Sequence, residues 1–440
     1  MVKFQKTSLI NKLCSWQNII LSLIVIGSGF LMIYKIDQTL VVGFDQGNHL
    51  NPVADFIRNH NIIYQGPAAL EKGGYKAYLG PFYYYLLAIP LFLTNLNVFS
   101  VSYFSAIFAL ASVIYIYYLT NKVFNSPTKS LIAAFLLAFT YKFTAMGRGF
   151  TNQFFLMLLL LALVDSVWTI CNIKNINWRW WAIFGLSLSA TLQIHSSSFL
   201  LILPIFSYLF FKRTIKNNYK GWLIAIGMFV VLYSPYIVYQ ATHNLYDIRQ
   251  YYGALVKAKD PNAVEKLNLT SSVMRVYKSL DISVNSFSRW GKTEGNTGIT
   301  IAWITILLSA TVFAFKRQKI IKGWYQFSTL WSLLFLISSG FFRFPLYDYY
   351  FIAIYPVLFI TLADILGYLI SKTKVWGIAI LVLAGGYYIY SNSLPILKEI
   401  HLGESRAIHN PVQPSDLLYV DFKSATDYIV SDSKGQPVQI

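Results

Sequence analysis

PFYYYLLAIPLFLT, residues 81–94, decides how the rest of the chain is read. It is apolar, yet short for a bilayer whose hydrocarbon core takes about twenty helical residues to cross. If it crossed, every later loop would change sides. The basic clusters Lys212–Lys220 and Lys316–Lys322 would then face outward, although Lys and Arg favour the cytoplasmic side. The stretch therefore reads as an interfacial or re-entrant helix, a depth that its three tyrosines suit.

Working outward from it, eleven apolar spans are expected at about 17–34, 100–119, 129–146, 153–171, 180–194, 197–211, 221–239, 299–315, 323–341, 349–370 and 375–390. The loops at one end of these spans hold lysines and arginines, such as Lys12, Lys122, Arg179, Lys212 and Lys316, and no carboxylate. Those at the other end hold nearly every Asp and Glu. The expectation is an all-α polytopic protein of the cell (plasma or inner) membrane, with a cytoplasmic N-terminus and an extracytoplasmic C-terminus. The stretch 180–211 is too long for one span and is interrupted by Gln193, His195 and three serines. It reads as a hairpin whose tip, at His195, lies in a protein-lined pocket, since such groups cannot face lipid unsatisfied.

Composition agrees with this. Of 440 residues, 56% are hydrophobic and only 12% are charged, unlike a soluble domain. The formal charge of +18 is spread over short turns and forms no continuous groove, which excludes nucleic acid as the partner. Cys14 and Cys171 both fall on the cytoplasmic side, where a structural disulfide is not expected. The apolar run Asn18–Tyr34 has no small-residue cleavage site after it and reads as a retained anchor.

Residues 1–390 form the multi-span domain, with large external segments at 35–98 and 240–298, and 391–440 form an external tail. In the first segment Asp45–Asn59 reads as an amphipathic helix, with Leu50, Val53, Ala54 and Ile57 at helical spacing. The chain stops at GQPVQI, which resembles the start of a strand, so relatives are expected to continue further.

Candidate chemistry gathers on the external side. Asp45, in VVGFDQGNHL, is placed either to act as a general base or to cap the surface helix. Lys72 and Lys76 flank the glycines before residues 81–94; they would meet a phosphate or snorkel to the interface. Arg148 and Asn152 share a short outer turn, MGRGFTNQFFL. There a planar guanidinium fork would bind phosphate or close the turn. His195 is a buried structural group or a functional one. Arg249, in HNLYDIR, and Arg343 with Tyr349, in FFRFPLYDYY, combine cations with acids and aromatics at one depth. Asp165 and Asp364 lie near inner span ends and are expected to pair with lysines or cap helices.

In order and spacing, FDQG at 44–47, LGPFYYYLLA at 79–88, GRGFTNQF at 147–154, LSATLQIH at 188–195, HNLYDIR at 243–249 and RFPLYDYYFIAIYP at 343–356 form a series. It resembles the GT-C superfamily of membrane glycosyltransferases, specifically the family 39, protein O-mannosyltransferase-like group. The resemblance implies a multi-span fold with a large first external loop. It also implies transfer of a sugar from a polyprenyl-phosphate carrier to a lipid, glycan or protein acceptor on the external face. By position, Asp45 resembles the catalytic carboxylate of the first loop, and Arg148 with Asn152 resembles the second external motif. Two departures weaken the case for a divalent metal: Gln46 stands where relatives often have a second acid, and 147–152 contain no acid. No cofactor is assumed. A lipid transporter or flippase, an oligosaccharide ligase and a non-catalytic scaffold are the alternative readings.

Overall fold

The structure, a computed structural model, describes residues 15–42, 44–72, 74–173, 176–214, 218–256, 272–276, 319–341, 348–401 and 417–418. Helix α1 (Trp16–Ile33) forms from an uninterrupted apolar run. One side of it, with Leu23, Ile26 and Phe30, is exposed, and the other, with Ile24, Leu31 and Met32, is buried against neighbours. The chain then turns through Lys35, in the left-handed region, into the short helix α2 (Ile36–Thr39) and the strand β1 (Val41–Val42).

The surface helix expected from the spacing is α3 (Phe44–Asn59). His49 and Val53, one turn apart, are its buried residues, while Leu50, Phe56 and Ile57 pack partly buried against the main core. Its polar edge faces away, where Asn59 and Asn61 donate to the exposed Asp55 carboxylate at 2.7 and 2.8 Å.

A strand pair was not expected after α3. Strands β2 (Ala68–Lys72) and β3 (Tyr75–Tyr78) form an antiparallel hairpin, paired from Leu70↔Ala77 to Lys72↔Tyr75, with a bulge before Ala68↔Tyr78. Gly74 takes a φ of +81° at its tip, a conformation that favours glycine. The all-α expectation is corrected to that extent. The apolar stretch that opened the sequence reading becomes α4 (Phe82–Leu93). Its 12 residues reach only about 18 Å at the helical rise of 1.5 Å per residue.

The core is built by α5 (Val98–Phe124), α8 (Leu156–Asn172), α9 (Trp178–Ile194), α10 (Ile202–Phe211), α11 (Tyr219–Thr242) and α13 (Lys319–Gly340). Between α11 and α13 comes α12 (Tyr246–Val256), which packs against β3. The single span expected at 129–146 is instead two helices, α6 (Pro127–Ala138) and α7 (Tyr141–Gly147), bent by 65°. The carbonyl of Ala138, left behind by the bend, accepts from Ser28 at 3.0 Å and Thr144 at 3.1 Å. Hydroxyls thus replace the interrupted helical ladder, as apolar surroundings require.

The last long helical element is α14 (Tyr355–His401). A Cβ on Gly377 would fall 3.0 Å from the Cα of Ile370. Positions seven residues apart in a straight helix are about 10 Å apart along the axis, so the element folds back sharply near Gly377. Both arms then face α6: Asp364 pairs with Lys129, and Tyr388 bonds to Thr140. Between α1, α6 and the arms of α14 lies an apolar cavity of about 870 Å³, lined by residues such as Ile24, Phe135 and Leu369. Strand β4 (Leu417–Leu418) returns antiparallel to β1.

Five helical stretches are long and apolar enough to cross a membrane, or six with the bent pair, among the described residues. This describes a multi-pass membrane protein. The count of eleven is not reached among the described residues: 299–315 lies outside them, and α9 and α10 have only 17 and 10 residues. The lysine pairing expected for Asp165 and Asp364 is present. Lys122 meets Asp165 at 2.7 Å, and Lys129 meets the fully buried Asp364 at 2.5 Å.

Candidate functional site

The outer end is organised by the turn that follows α7. Arg148 donates from Nη1 to the carbonyls of Leu31 at 2.7 Å and Met32 at 3.3 Å. From Nη2 it donates to the Tyr34 carbonyl at 3.0 Å and Thr39 Oγ1 at 2.5 Å. The last carbonyls of a helix have no partner within it, so this guanidinium closes α1 and grips α2, which leads toward Asp45. Two residues on, the Phe150 carbonyl accepts a short hydrogen bond from the buried Tyr83 hydroxyl of α4. Asn152 Nδ2 donates to the carbonyl of Ile194, the last residue of α9, at 2.6 Å. One turn therefore touches two of the other motifs noted in the sequence.

Next to that bond α9 breaks at His195, whose backbone is extended. Its Nδ1 accepts from the Ser197 amide at 3.1 Å and lies 2.8 Å from Ser197 Oγ. A peptide N–H only donates, so the proton of the neutral ring is on Nε2. The ring packs edge-on against Tyr349 and Tyr350, at centroid distances of 5.5 and 4.9 Å. Two residues earlier, Gln193 donates to Ser189 Oγ and the Leu232 carbonyl, both at 3.2 Å. Its Oε1 is buried without a partner among the described residues. A Cβ on Gly80 would come within 2.4 Å of that oxygen, which is why LGPFYYY needs glycine where α4 meets α9.

The two external segments are joined through Asp247 of α12, which is fully buried. Its Oδ1 accepts from the Tyr78 amide at 2.9 Å, and its Oδ2 from Gln240 at 2.5 Å and Gln65 at 3.3 Å. Among the described residues no lysine, arginine or histidine forms a salt bridge with it. Tyr236 donates to the Tyr78 carbonyl at 3.0 Å beside it. Burial, and then the Asp247 charge, raise the pKa of the Tyr251 hydroxyl, which therefore stays protonated.

On α3, His49 is 8% exposed. Tyr83 stands edge-on to its ring at 5.1 Å and Tyr84 is tilted against it at 5.7 Å. Desolvation lowers its pKa to about 4, so the imidazole is neutral at pH 7. Its Nδ1 is buried without a hydrogen-bond partner among the described residues.

Of the residues singled out from the sequence, Asn152, His195 and Tyr349 come together around the end of α9. Asp45 is the second residue of α3, immediately beyond the segment that Arg148 grips. Lys76 lies apart on the hairpin, 44% exposed in its side chain, with its ammonium 3.0 Å from Glu71. Lys72 ends β2 in the same hairpin. Arg249 donates to the His243 carbonyl at 3.2 Å on the exposed side of α12. Arg343 lies outside the described residues. Among the described residues no three His, Cys, Asp or Glu side chains gather as metal ligands. Sequence reasoning passed over His49, Tyr83, Gln193 and Asp247. His49 follows Asp45 at i+4, Gln193 and Tyr83 sit inside quoted motifs, and Asp247 was named beside Arg249 but not chosen.

Residues 79–239, which carry α4 and the walls around His195, match the family model described as dolichyl-phosphate-mannose-protein mannosyltransferase. No curated protein matches the chain by sequence. Among solved structures, apo ArnT from Cupriavidus metallidurans superimposes with a TM-score of 0.57 at 12% identity, covering 83% of this chain. The chain shares the fold of ArnT. The same ArnT bound to undecaprenyl phosphate gives a TM-score of 0.54 at 12% identity, covering 79% of this chain. The chain spans 62% and 60% of those two ArnT chains.

Proposed function

We propose that this chain transfers a sugar from a polyprenyl-phosphate-linked donor to an acceptor hydroxyl at the external membrane face, with inversion at the anomeric carbon. The observation that carries this reading is the family match over 79–239: it falls on the helices that wall the outer cluster of Asn152, His195 and Tyr349. The GT-C fold gives it independent support, and a relative of that fold has been seen with undecaprenyl phosphate.

Asp45, at the start of α3, takes the proton of the acceptor hydroxyl. The acceptor oxygen attacks the anomeric carbon on the face opposite the phosphate, and the carbon–oxygen bond to phosphate breaks with its electron pair on the departing group. Cations at Lys72 and Arg343 stabilise that growing charge. Arg148, held by the end of α1, serves this reaction by fixing the approach to Asp45. His195 and Tyr349 shape the wall against which the sugar lies, since aromatic faces suit sugar rings.

Membranes carrying the protein, incubated with labelled polyprenyl-phosphate sugars, should yield a product heavier by one sugar unit in mass analysis. Asp45→Asn should slow transfer by about 10²–10⁴-fold, the contribution of a positioned base. Transfer at the parental rate by a normally inserted Asp45→Asn protein would refute the base assignment.

A further inference from the structure

We propose that the apolar cavity between α1, α6 and the two arms of α14 holds the acyl chains of an anionic phospholipid, with its phosphate at the Lys372 end. At about 870 Å³ the cavity falls within the range of built ligand sites, about 300–1,000 Å³. Packed protein interiors leave few voids larger than a water molecule. The polar side chains in its lining are Trp16, Thr128, Thr373 and Tyr388. The hydroxyls of Thr373 and Tyr388 already donate to the carbonyls of Leu369 and Leu136, at 2.7 and 3.0 Å. Trp16, Leu369, Ile380 and Val382 line the cavity and are exposed, so it opens sideways, where a bilayer would surround α1 and α14. What enters from that side is hydrocarbon.

Small residues keep the space open. In membranes glycine and alanine ordinarily let helices approach closely. Here Ala384, Gly385 and Gly386 line the cavity instead. A Cβ on Gly386 would meet no atom within 4 Å among the described residues, and one on Gly385 would meet the Phe135 ring across the cavity at an ordinary 3.5 Å.

Depth and charge select the occupant. Along α1 the lining runs from Trp16 to Ile24, and along α6 from Thr128 to Leu136. Each stretch rises about 12 Å, less than half of a hydrocarbon core about 30 Å thick. That is the depth of a single leaflet. Its mouth lies at the Trp16 end of α1, whereas Arg148 holds the other end through Leu31 and Tyr34. The cavity is therefore remote from the Asn152 and His195 cluster, where the phosphate of a sugar donor would belong. Lysines stand at the mouth. Lys129 follows Thr128 and is held by Asp364, and the exposed Lys372 precedes Thr373, with its ammonium 5.7 Å from the Tyr368 ring centre. Basic residues beside an apolar space between spans suit an anionic lipid headgroup.

The test uses the full chain purified in detergent. Native mass spectrometry counts retained lipids. Thermal unfolding is followed on adding phosphatidylglycerol, phosphatidylcholine with the same acyl chains, or undecaprenyl phosphate. A single phospholipid should stay with the protein through purification and raise its unfolding temperature. Phosphatidylglycerol should bind about fivefold tighter than phosphatidylcholine, the contribution of one lysine beside an anionic surface. Gly385→Leu extends into the cavity and should lose both the lipid and the stabilisation. Lys372→Gln should keep the lipid and bind the two headgroups equally.

Unchanged lipid retention in Gly385→Leu would overturn the proposal, as would equal affinity of the parental protein for the two phospholipids. Displacement of the phospholipid by an equal concentration of undecaprenyl phosphate would assign the cavity to the isoprenoid carrier and overturn it as well. If Gly385→Leu fails to insert, the headgroup comparison on the parental protein and Lys372→Gln still decides.

Discussion

The two ends of the molecule treat charge in opposite ways. At one end each of two buried acids has its own cation. Lys122 bonds to Asp165 and Thr169, at 2.7 and 2.6 Å, and sits 3.7 Å over the Trp180 ring. Asp364 takes Lys129 and the Tyr325 hydroxyl, at 2.5 and 2.9 Å. At the other end, Asp247 is equally buried and is held by a peptide N–H and two amides, with no salt bridge among the described residues. Ion pairs anchor one helix to the next. An acid held by neutral donors instead ties together the hairpin and the helices that supply them.

Substitutions at the two ends should separate these uses. The largest effect belongs to Asp45→Asn, with transfer lowered about 10²–10⁴-fold and thermal unfolding in detergent nearly unchanged. A comparable fall in stability would move Asp45 into the scaffold. Lys129→Met should show the reverse. It takes the ammonium away from the buried Asp364, and removing one member of a buried pair costs about 3–5 kcal/mol of stability. Adding Asp364→Leu should recover most of that loss. Asp247→Ala strands the donors on Gln65, Gln240 and Tyr78. It should cost about 1.5–3 kcal/mol, the range for bonds to a charged group, and loosen the hairpin from α12, as read by protease sensitivity near Gly74. Arg148→Lys loses the fork that reaches four oxygens. It should cost about 1–2 kcal/mol and lower kcat more than it raises donor KM. Glu71→Gln at the exposed hairpin pair should leave both stability and transfer unchanged, since such pairs contribute little. A marked loss there would bring Lys76 back to the site.

Much of this could be read in advance because apolar length and charge side are written locally. The helix after Asp45, the short helix at 82–93, the break at His195 and the inner pairing of Asp165 and Asp364 all follow from neighbours in sequence. The hairpin at 68–78 did not, because AALEK and YKAY alternate weakly and are held by Asp247 from far along the chain. The 65° bend after Ala138 was missed for a similar reason: the run is apolar throughout, and the hydroxyls that make the break tolerable are Thr144 and the distant Ser28. For Arg148 the sequence left phosphate binding and closure of its turn as alternatives. Its bonds to carbonyls of α1 depend on two helix ends meeting, which no local pattern encodes.

The pairing of β1 with β4 has a consequence for how the protein is made. Val41 and Val42 leave the ribosome long before Leu417 and Leu418. The strand edge just before α3 is completed by a segment made only after α14. Pairing at this edge therefore waits for the intervening helices, and an insertion intermediate stalled before Leu417 would hold α3 without the strand that flanks its approach.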